Sequence, residues 1–182
     1  MVEEKIESLF GARETTISRD LKMNLKKLGS SDSSLSPTDF GLVVLALSDL
    51  KHNDQMKEVA FAVLREAGEL NDEMINEGIE VGAIMSMLNG YYKFRRFLRD
   101  ADPTADETYG AAKLRMQSLS QPKLGHERFE LLALAVSIAN SCEQCVTSHV
   151  EALKKLNVPV EKIHDVARLT ASTLGAIQLL RS

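Results

Sequence analysis

The sequence predicts an all-α protein, and three observations carry that prediction. Apolar residues recur at helical spacing over long stretches, while alternating strand patterns bounded by hairpin signals are missing. The four prolines, Pro37, Pro103, Pro122 and Pro159, all fall between periodic segments rather than inside them. Finally, sliding the chain by 89 residues lays Phe40–Arg65 on Phe129–Lys154 without a gap, with seven identities in 26 positions.

Taken in order, the periodic segments place helices at 3–10, 14–28, 38–51, 54–67, 71–98, 104–118, 127–139, 142–156 and 160–180. The first two precede a serine-rich loop from Gly29 to Pro37. The next pair, 38–51 and 54–67, forms the first copy of the repeat. It is followed by a short break at Gly68–Leu70 and then a long helix that Asp102-Pro103 stops. The pair 127–139 and 142–156 forms the second copy, again followed by a break, Asn157–Pro159, and a long helix. The expected organisation is one domain over 1–182, with N-terminal helices in 1–36, a first unit in 38–98 and a second in 104–182. Within the middle helix, Gly78, Gly82 and Ser86 make a smooth stripe suited to close helix packing.

Composition removes several function classes. The chain has 182 residues, 44% of them hydrophobic and 26% charged, which suits a packed globular core. The net charge of −4 argues against nucleic acid as the main partner, since phosphate neutralisation needs a basic face. No apolar run approaches a membrane span, and the opening residues lack a signal-peptide pattern. A cytoplasmic address is expected.

The repeat is most informative where its copies differ. Asn53, Met56 and Ala60 of the first copy face Cys142, Cys145 and His149 of the second, so chemistry is expected in the second copy alone. Cys142 and Cys145 are the only cysteines. A secreted disulfide scaffold would carry more, spread more widely. Asn140-Ser141 reads as a helix N-cap, and Ser141-x-x-Gln144 has capping-box spacing, which puts Cys142 in the first turn of a helix. The positive end of the helix dipole there favours a thiolate. Cys145 and His149 stack on one helical face, so His149 is placed to take the Cys145 proton.

Three other readings compete. A zinc module would use both cysteines, His149 and one more ligand, His126 or Glu130, at a spacing that matches no usual zinc site. A structural disulfide across one helical turn closes too small a loop to stabilise much. A thioredoxin-type dithiol follows a strand, and no strand precedes this one. A redox dithiol on a helical scaffold fits best. Glu130, among Leu131, Leu132, Leu134 and Ala135, is a carboxylate in apolar company, suited to a raised pKa and to passing protons toward the thiols. His52, His126 and His164 have no such partner. The Arg95-Arg96…Arg99 cluster reads as a solvated helix end.

Glu130, eleven residues, Cys142-x-x-Cys145, three residues, His149 is the core motif of the alkyl hydroperoxide reductase D (AhpD) proteins, within the carboxymuconolactone decarboxylase-like superfamily, and this chain resembles them. The likeness extends to Asp20-Leu-Lys-Met-Asn-Leu, to Met85-Ser-Met-Leu-Asn-Gly-Tyr-Tyr-Lys-Phe-Arg-Arg-Phe and to Phe129-Glu-Leu. One position departs: Gln144 stands where well-studied members carry a histidine. The resemblance implies an all-α domain assembling into homotrimers, hydroperoxide reduction, and regeneration of a peroxiredoxin partner. It implies that Cys145 attacks peroxide and becomes a sulfenic acid, and that Cys142 resolves it into the Cys142–Cys145 disulfide. No tightly bound cofactor is implied; electrons come from a lipoyl group on a dehydrogenase subunit or another dithiol donor. The helix-dipole reading instead makes Cys142 the more acidic thiol, so the two roles stay open at this point. A ring-opening decarboxylase relative is the alternative within the superfamily, and a metal-binding module using Cys142, Cys145 and His149 is the alternative outside it.

Overall fold

A computed structural model describes residues 2–11 and 13–181, with Ser118 described in its backbone alone. Met1 and Ser182, the ends of the expected domain, lie outside the described residues, as does Ala12. The described residues form helices α1 (Val2–Phe10), α2 (Thr16–Leu28), α3 (Pro37–Leu50), α4 (Asp54–Glu66), α5 (Asp72–Ala101), α6 (Ala105–Tyr109), α7 (His126–Ala139), α8 (Glu143–Lys155) and α9 (Val160–Leu180). A single 3-10 turn spans Gln117–Ser120, and no strand occurs among the described residues. The protein is all-α, as the periodicity predicts.

The starts of the helices follow local chemistry. Thr15, Ser36, Asn53 and Asn71 each accept, on the side chain, a backbone N–H from the first turn of α2, α3, α4 and α5. One expected helix is corrected. The segment 104–118 is helical only to Tyr109, because Gly110 turns into a positive-φ conformation (φ 60°) and residues 111–116 leave helical geometry. Those residues are exposed or half-buried, so no packed face sustains the helix that their propensity suggests.

At the centre lie α3 and α7, packed on each other. Each is buried nearly all round, through Phe40–Ser48 in one and Leu131–Ser137 in the other, as their continuous apolar runs require. Helices α5 and α9 each pack on both central helices, α4 covers α3, and α8 covers α7. Helix α1 braces α2 and α4, and α2 lies on α9. The Gly78–Gly82 stripe faces α3: a Cβ at Gly78 would sit 3.3 Å from Leu45. At the other side of α3, a Cβ at Gly41 would fall 2.8 Å from Leu64, so glycine lets α3 approach α4.

The two helix pairs turn alike. After α3, His52 takes positive φ (53°), its N–H donates to the Asp49 carbonyl, and the Asn53 N–H donates to Ser48 at 2.8 Å. Eighty-nine positions on, Ser141 takes φ 55°, its N–H donates to Ile138, and the Cys142 N–H donates to Ser137 at 3.0 Å. Both are Schellman closures, the six-to-one and five-to-two bond pair that satisfies a helix's last carbonyls. The ends of α4 and α8 repeat the motif at Gly68 and Asn157.

Candidate active site

The Schellman turn at the end of α7 decides how the cysteines are presented. Asn140-Ser141 serves α7 as its closing residues, so it does not cap α8, and the expected capping box is corrected. Cys142 itself occupies the N-cap position with extended φ/ψ, and α8 begins at Glu143. In the first copy the N-cap is Asn53, whose side chain accepts from the Met56 N–H at 2.8 Å. Cys142 makes no such bond. Its sulfur is joined instead to Cys145, one turn on, with the two Cα atoms 5.3 Å apart. The cap position has exchanged a hydrogen bond for a disulfide.

Gln144 does not turn back to Ser141. Its Oε1 accepts from Arg99 at 3.1 Å. Arg99 also pairs with Asp106, and Arg95, buried, pairs with Asp106 and donates to the Gly110 carbonyl. Arg96 pairs with Asp100 on α5 and with Glu143 at the start of α8. The arginine cluster is therefore a set of paired ties holding α6 and the first turn of α8 to α5, which corrects its reading as a solvated helix end. These bonds, Arg95 first and then Arg99, hold the Asp106 carboxyl below its ordinary range.

Below that turn, α5, α7, α8 and the 3-10 segment enclose a cavity of about 270 Å³. Met85, Leu88, Met116, Leu119 and Phe129 supply its apolar wall; Glu130, Gln144, Cys145, Ser148 and His149 supply its polar side. His149 Nδ1 lies 2.7 Å from Glu130 Oε2. With the carboxylate ionised, Nδ1 donates that hydrogen bond and Nε2 is left as the basic nitrogen. Cys145, in its disulfide with Cys142, shares this cavity with the His149–Glu130 pair. Cys142 is not on this cavity. It lines a separate hollow of about 170 Å³ with Lys93, Arg96, Phe97 and Ser141.

All four residues singled out by the motif, Glu130, Cys142, Cys145 and His149, come together here. His52, His126 and His164 are exposed and do not line the cavity. Among the described residues no group of three or more His, Cys, Asp and Glu side chains is arranged to hold a metal ion. Sequence reasoning missed a polar chain that ties α5 to α7. Asn89 Nδ2 donates to Ser137 Oγ, Asn140 Nδ2 donates to Asn89 Oδ1, and Lys93 Nζ donates to the Asn140 carbonyl. The signal was available: Asn89 falls on the buried face of α5 four residues after Met85, where an amide requires partners.

With the site in view, the comparisons with known proteins become specific. The carboxymuconolactone decarboxylase family model matches residues 107–182, which include Glu130, Cys142, Cys145 and His149. The alkyl hydroperoxide reductase AhpD of Anaeromyxobacter dehalogenans strain 2CP-1 is 31% identical over 153 residues, covering 84% of this chain and 78% of that protein. This chain belongs to the AhpD family. The AhpD of Anaeromyxobacter dehalogenans strain 2CP-C is 32% identical with the same coverage. That of Brucella canis is 29% identical over 153 residues, covering 84% of this chain and 83% of its own. Among the described residues, no helix of this AhpD family member is long and apolar enough to cross a membrane.

Proposed function

We propose that this protein reduces alkyl hydroperoxides through a Cys142/Cys145 dithiol–disulfide cycle. The observation that carries the reading is the placement of Cys145, His149 and Glu130 on one largely apolar cavity, with Cys142 within disulfide reach. In the reduced protein His149 takes the Cys145 proton, and the thiolate attacks the terminal peroxide oxygen. An S–O bond forms, the O–O bond breaks, and the alkoxide leaves as alcohol with the proton from His149. The Cys142 thiol then loses its proton and attacks the Cys145 sulfenic sulfur, hydroxide leaves and takes that proton as water, and the disulfide closes. Glu130 holds the imidazole in the tautomer that the first step needs. The apolar wall suits the carbon tail of an organic hydroperoxide.

Supported by the family rather than by geometry, the proposal includes regeneration of a peroxiredoxin partner, a lipoyl group or other dithiol as electron source, homotrimeric assembly and a cytoplasmic setting. The paired turns 89 residues apart support two related units, 38–98 and 104–182, within one domain, the N-terminal helices bracing them. The decarboxylase reading has the description of the matching family model behind it but gives the Cys142–Cys145 pair no role, and the metal-module reading gains no specific observation.

The test is a peroxide-consumption assay with cumene hydroperoxide, comparing dihydrolipoamide, glutathione and a thioredoxin system as donors, together with thiol and zinc titration. Turnover with a dithiol donor, and two thiols that oxidise reversibly to none, are expected. Stoichiometric zinc surviving dialysis, or no consumption with any donor, overturns the reading. The roles of the thiols are read by dimedone trapping. Cys142→Ser retains a peroxide-derived sulfenic acid at Cys145, whereas Cys145→Ser shows none; adduct found only on Cys142 reverses the assignment.

A further inference from the structure

The backbone turn that carries Cys142 is held from outside by α5. Cys142 makes no side-chain cap bond, so once the disulfide opens its place is set by the turn, through its N–H bond to the Ser137 carbonyl. Two residues of α5 one helical turn apart, Asn89 and Lys93, grip that turn. Asn89 Nδ2 donates to Ser137 Oγ at 3.0 Å, and its Oδ1 accepts from Asn140 Nδ2 at 3.0 Å. Lys93 Nζ donates to the Asn140 carbonyl at 3.1 Å. One amide is thus bonded both to the residue that anchors the Cys142 N–H and to the residue two before Cys142. We infer that Asn89 is a positioning residue: through Ser137 and Asn140 it holds Cys142 against Cys145 and so sets how readily the disulfide closes. This rests on the dithiol cycle proposed above, in which Cys142 is the thiol that closes it.

The turn 89 positions earlier shows which part of this grip belongs to the cysteines. There the Lys51 carbonyl, the counterpart of the Asn140 carbonyl, accepts from Arg181 at the end of α9. A cation reaching from a long helix to the turn is therefore common to both. The amide pair is not. Gln178, the counterpart of Asn89, is exposed, and Lys51 stands in place of Asn140. Ser48, the counterpart of Ser137, donates its hydroxyl to the Leu45 carbonyl within its own helix. At that turn Asn53 fixes the start of α4 by its own cap bond to Met56. At the other, the cap residue is a cysteine, and the second tie comes from Asn89.

Burial gives this tie its weight. Asn89 is 1% exposed and Ser137 is fully buried, so their bond forms away from water, and removing either partner leaves a polar group unsatisfied. Closure of a disulfide depends on the effective concentration of one sulfur at the other, which falls when either is free to wander. Releasing residues 137–142 from α5 widens the positions open to Cys142. It leaves intact the Glu130–His149 pair on which the proposed attack on peroxide depends. Loss of the tie therefore weakens closure and spares attack.

The experiment compares three variants of the full chain, each checked for its fold by thermal melting. Asn140→Ala removes the amide donor, keeps the carbonyl that Lys93 holds, and changes a residue that lines neither the cavity nor the hollow. Asn89→Leu removes both amide bonds, and Arg181→Met removes the matching bond at the first turn. The dithiol–disulfide equilibrium of Cys142 and Cys145 is measured in glutathione buffers. It shifts toward the dithiol by about tenfold in Asn140→Ala and further in Asn89→Leu, each tenfold raising the two-electron potential by about 30 mV. Arg181→Met keeps the wild-type value. Quenched flow with cumene hydroperoxide and dimedone then separates attack from closure. In Asn140→Ala the Cys145 sulfenic acid forms at the wild-type rate but closes about tenfold more slowly, so trapped adduct accumulates. An unshifted equilibrium in Asn140→Ala, an equal shift in Arg181→Met, or attack and closure slowed alike overturns the inference. If Asn89→Leu fails to fold, Asn140→Ala decides alone. If peroxide oxidises neither thiol while the glutathione equilibrium still shifts, the peroxidase reading fails and the positioning role stands.

Discussion

At the scale of single residues, the proposed cycle needs the imidazole of His149 in one tautomer. Glu130, 2.7 Å from Nδ1, favours that tautomer by accepting its hydrogen, which leaves Nε2 as the nitrogen that would receive the thiol proton in that cycle. The two residues therefore lose different things on substitution. His149→Phe keeps the ring volume and removes the base, so peroxide-dependent oxidation of Cys145 falls by about 10²–10⁴-fold. Glu130→Gln keeps the shape but loses the charge that stabilises the imidazolium, and falls by a smaller factor, on the order of tenfold. Stopped-flow oxidation rates across pH compare the two, with circular dichroism confirming the fold. Wild-type rates in His149→Phe would show that the histidine has no part in the chemistry. The motif residues were legible because helical spacing alone puts Cys145 and His149 on one face. Gln144 was not. Its partner, Arg99, is 45 residues away, and no local rule connects the end of α5 to the start of α8.

The elements show a similar division between local and long-range signals. Most helices announce themselves through caps and prolines, and their ends lie within a few residues of the expected positions. The segment 104–118 did not, because beyond Gly110 the chain is irregular, and Met116, with Leu119 of the 3-10 turn, reaches the cavity from there. Met116 and Leu119 line the site, which periodicity had no means of indicating. Nor did sequence reveal how the serine-rich loop is held. Asp165 on α9, buried, accepts from the Ser34 N–H and Oγ, from Ser33 Oγ and from Arg168. Burial alone would raise this carboxyl, but the Ser34 bonds, with Arg168 and Ser33, outweigh it and hold the pKa at about 2, below its ordinary 3.8. A depressed folded-state pKa contributes stability above the unfolded value and loses it as pH falls through the folded one. Asp165 therefore contributes about 2 kcal/mol at neutral pH, a contribution that fades between the two pKa values. Urea denaturation of Asp165→Asn at a series of pH values should show wild type ahead at pH 7 and the gap closing toward pH 2. A gap independent of pH would assign the loss to packing instead of charge.

For the whole molecule, the decisive feature is that neither half buries its own central helix. Helix α7 is enclosed by α3, α5, α8 and α9, and two of these, α3 and α5, come from the first half of the chain. The first half has the same dependence, since α3 lies against α7 and α9. The contact continues at the helix starts, where buried Asp39 of α3 pairs with Lys162 of α9 at 2.8 Å and with Arg128 of α7. A fragment of residues 104–182 holds all four motif residues and the whole span of the family match, so on sequence grounds it would pass for a complete unit. Physically it is not. Without α3 and α5 it uncovers part of α7, whose Leu131, Leu132, Leu134 and Val136 are all buried in the full chain, and each such side chain exposed forfeits roughly 1.5–3 kcal/mol of burial. Three or more losses of that size approach the whole 5–15 kcal/mol stability of an ordinary domain. The isolated fragment should therefore melt without a cooperative transition, bind a hydrophobic dye and lose the peroxide reaction, while an equimolar mixture with residues 1–103 recovers a sigmoidal melt. A monomeric 104–182 fragment that unfolds cooperatively by itself would show that α8 and α9 suffice to cover α7, and that the first half serves the site from outside the folding unit.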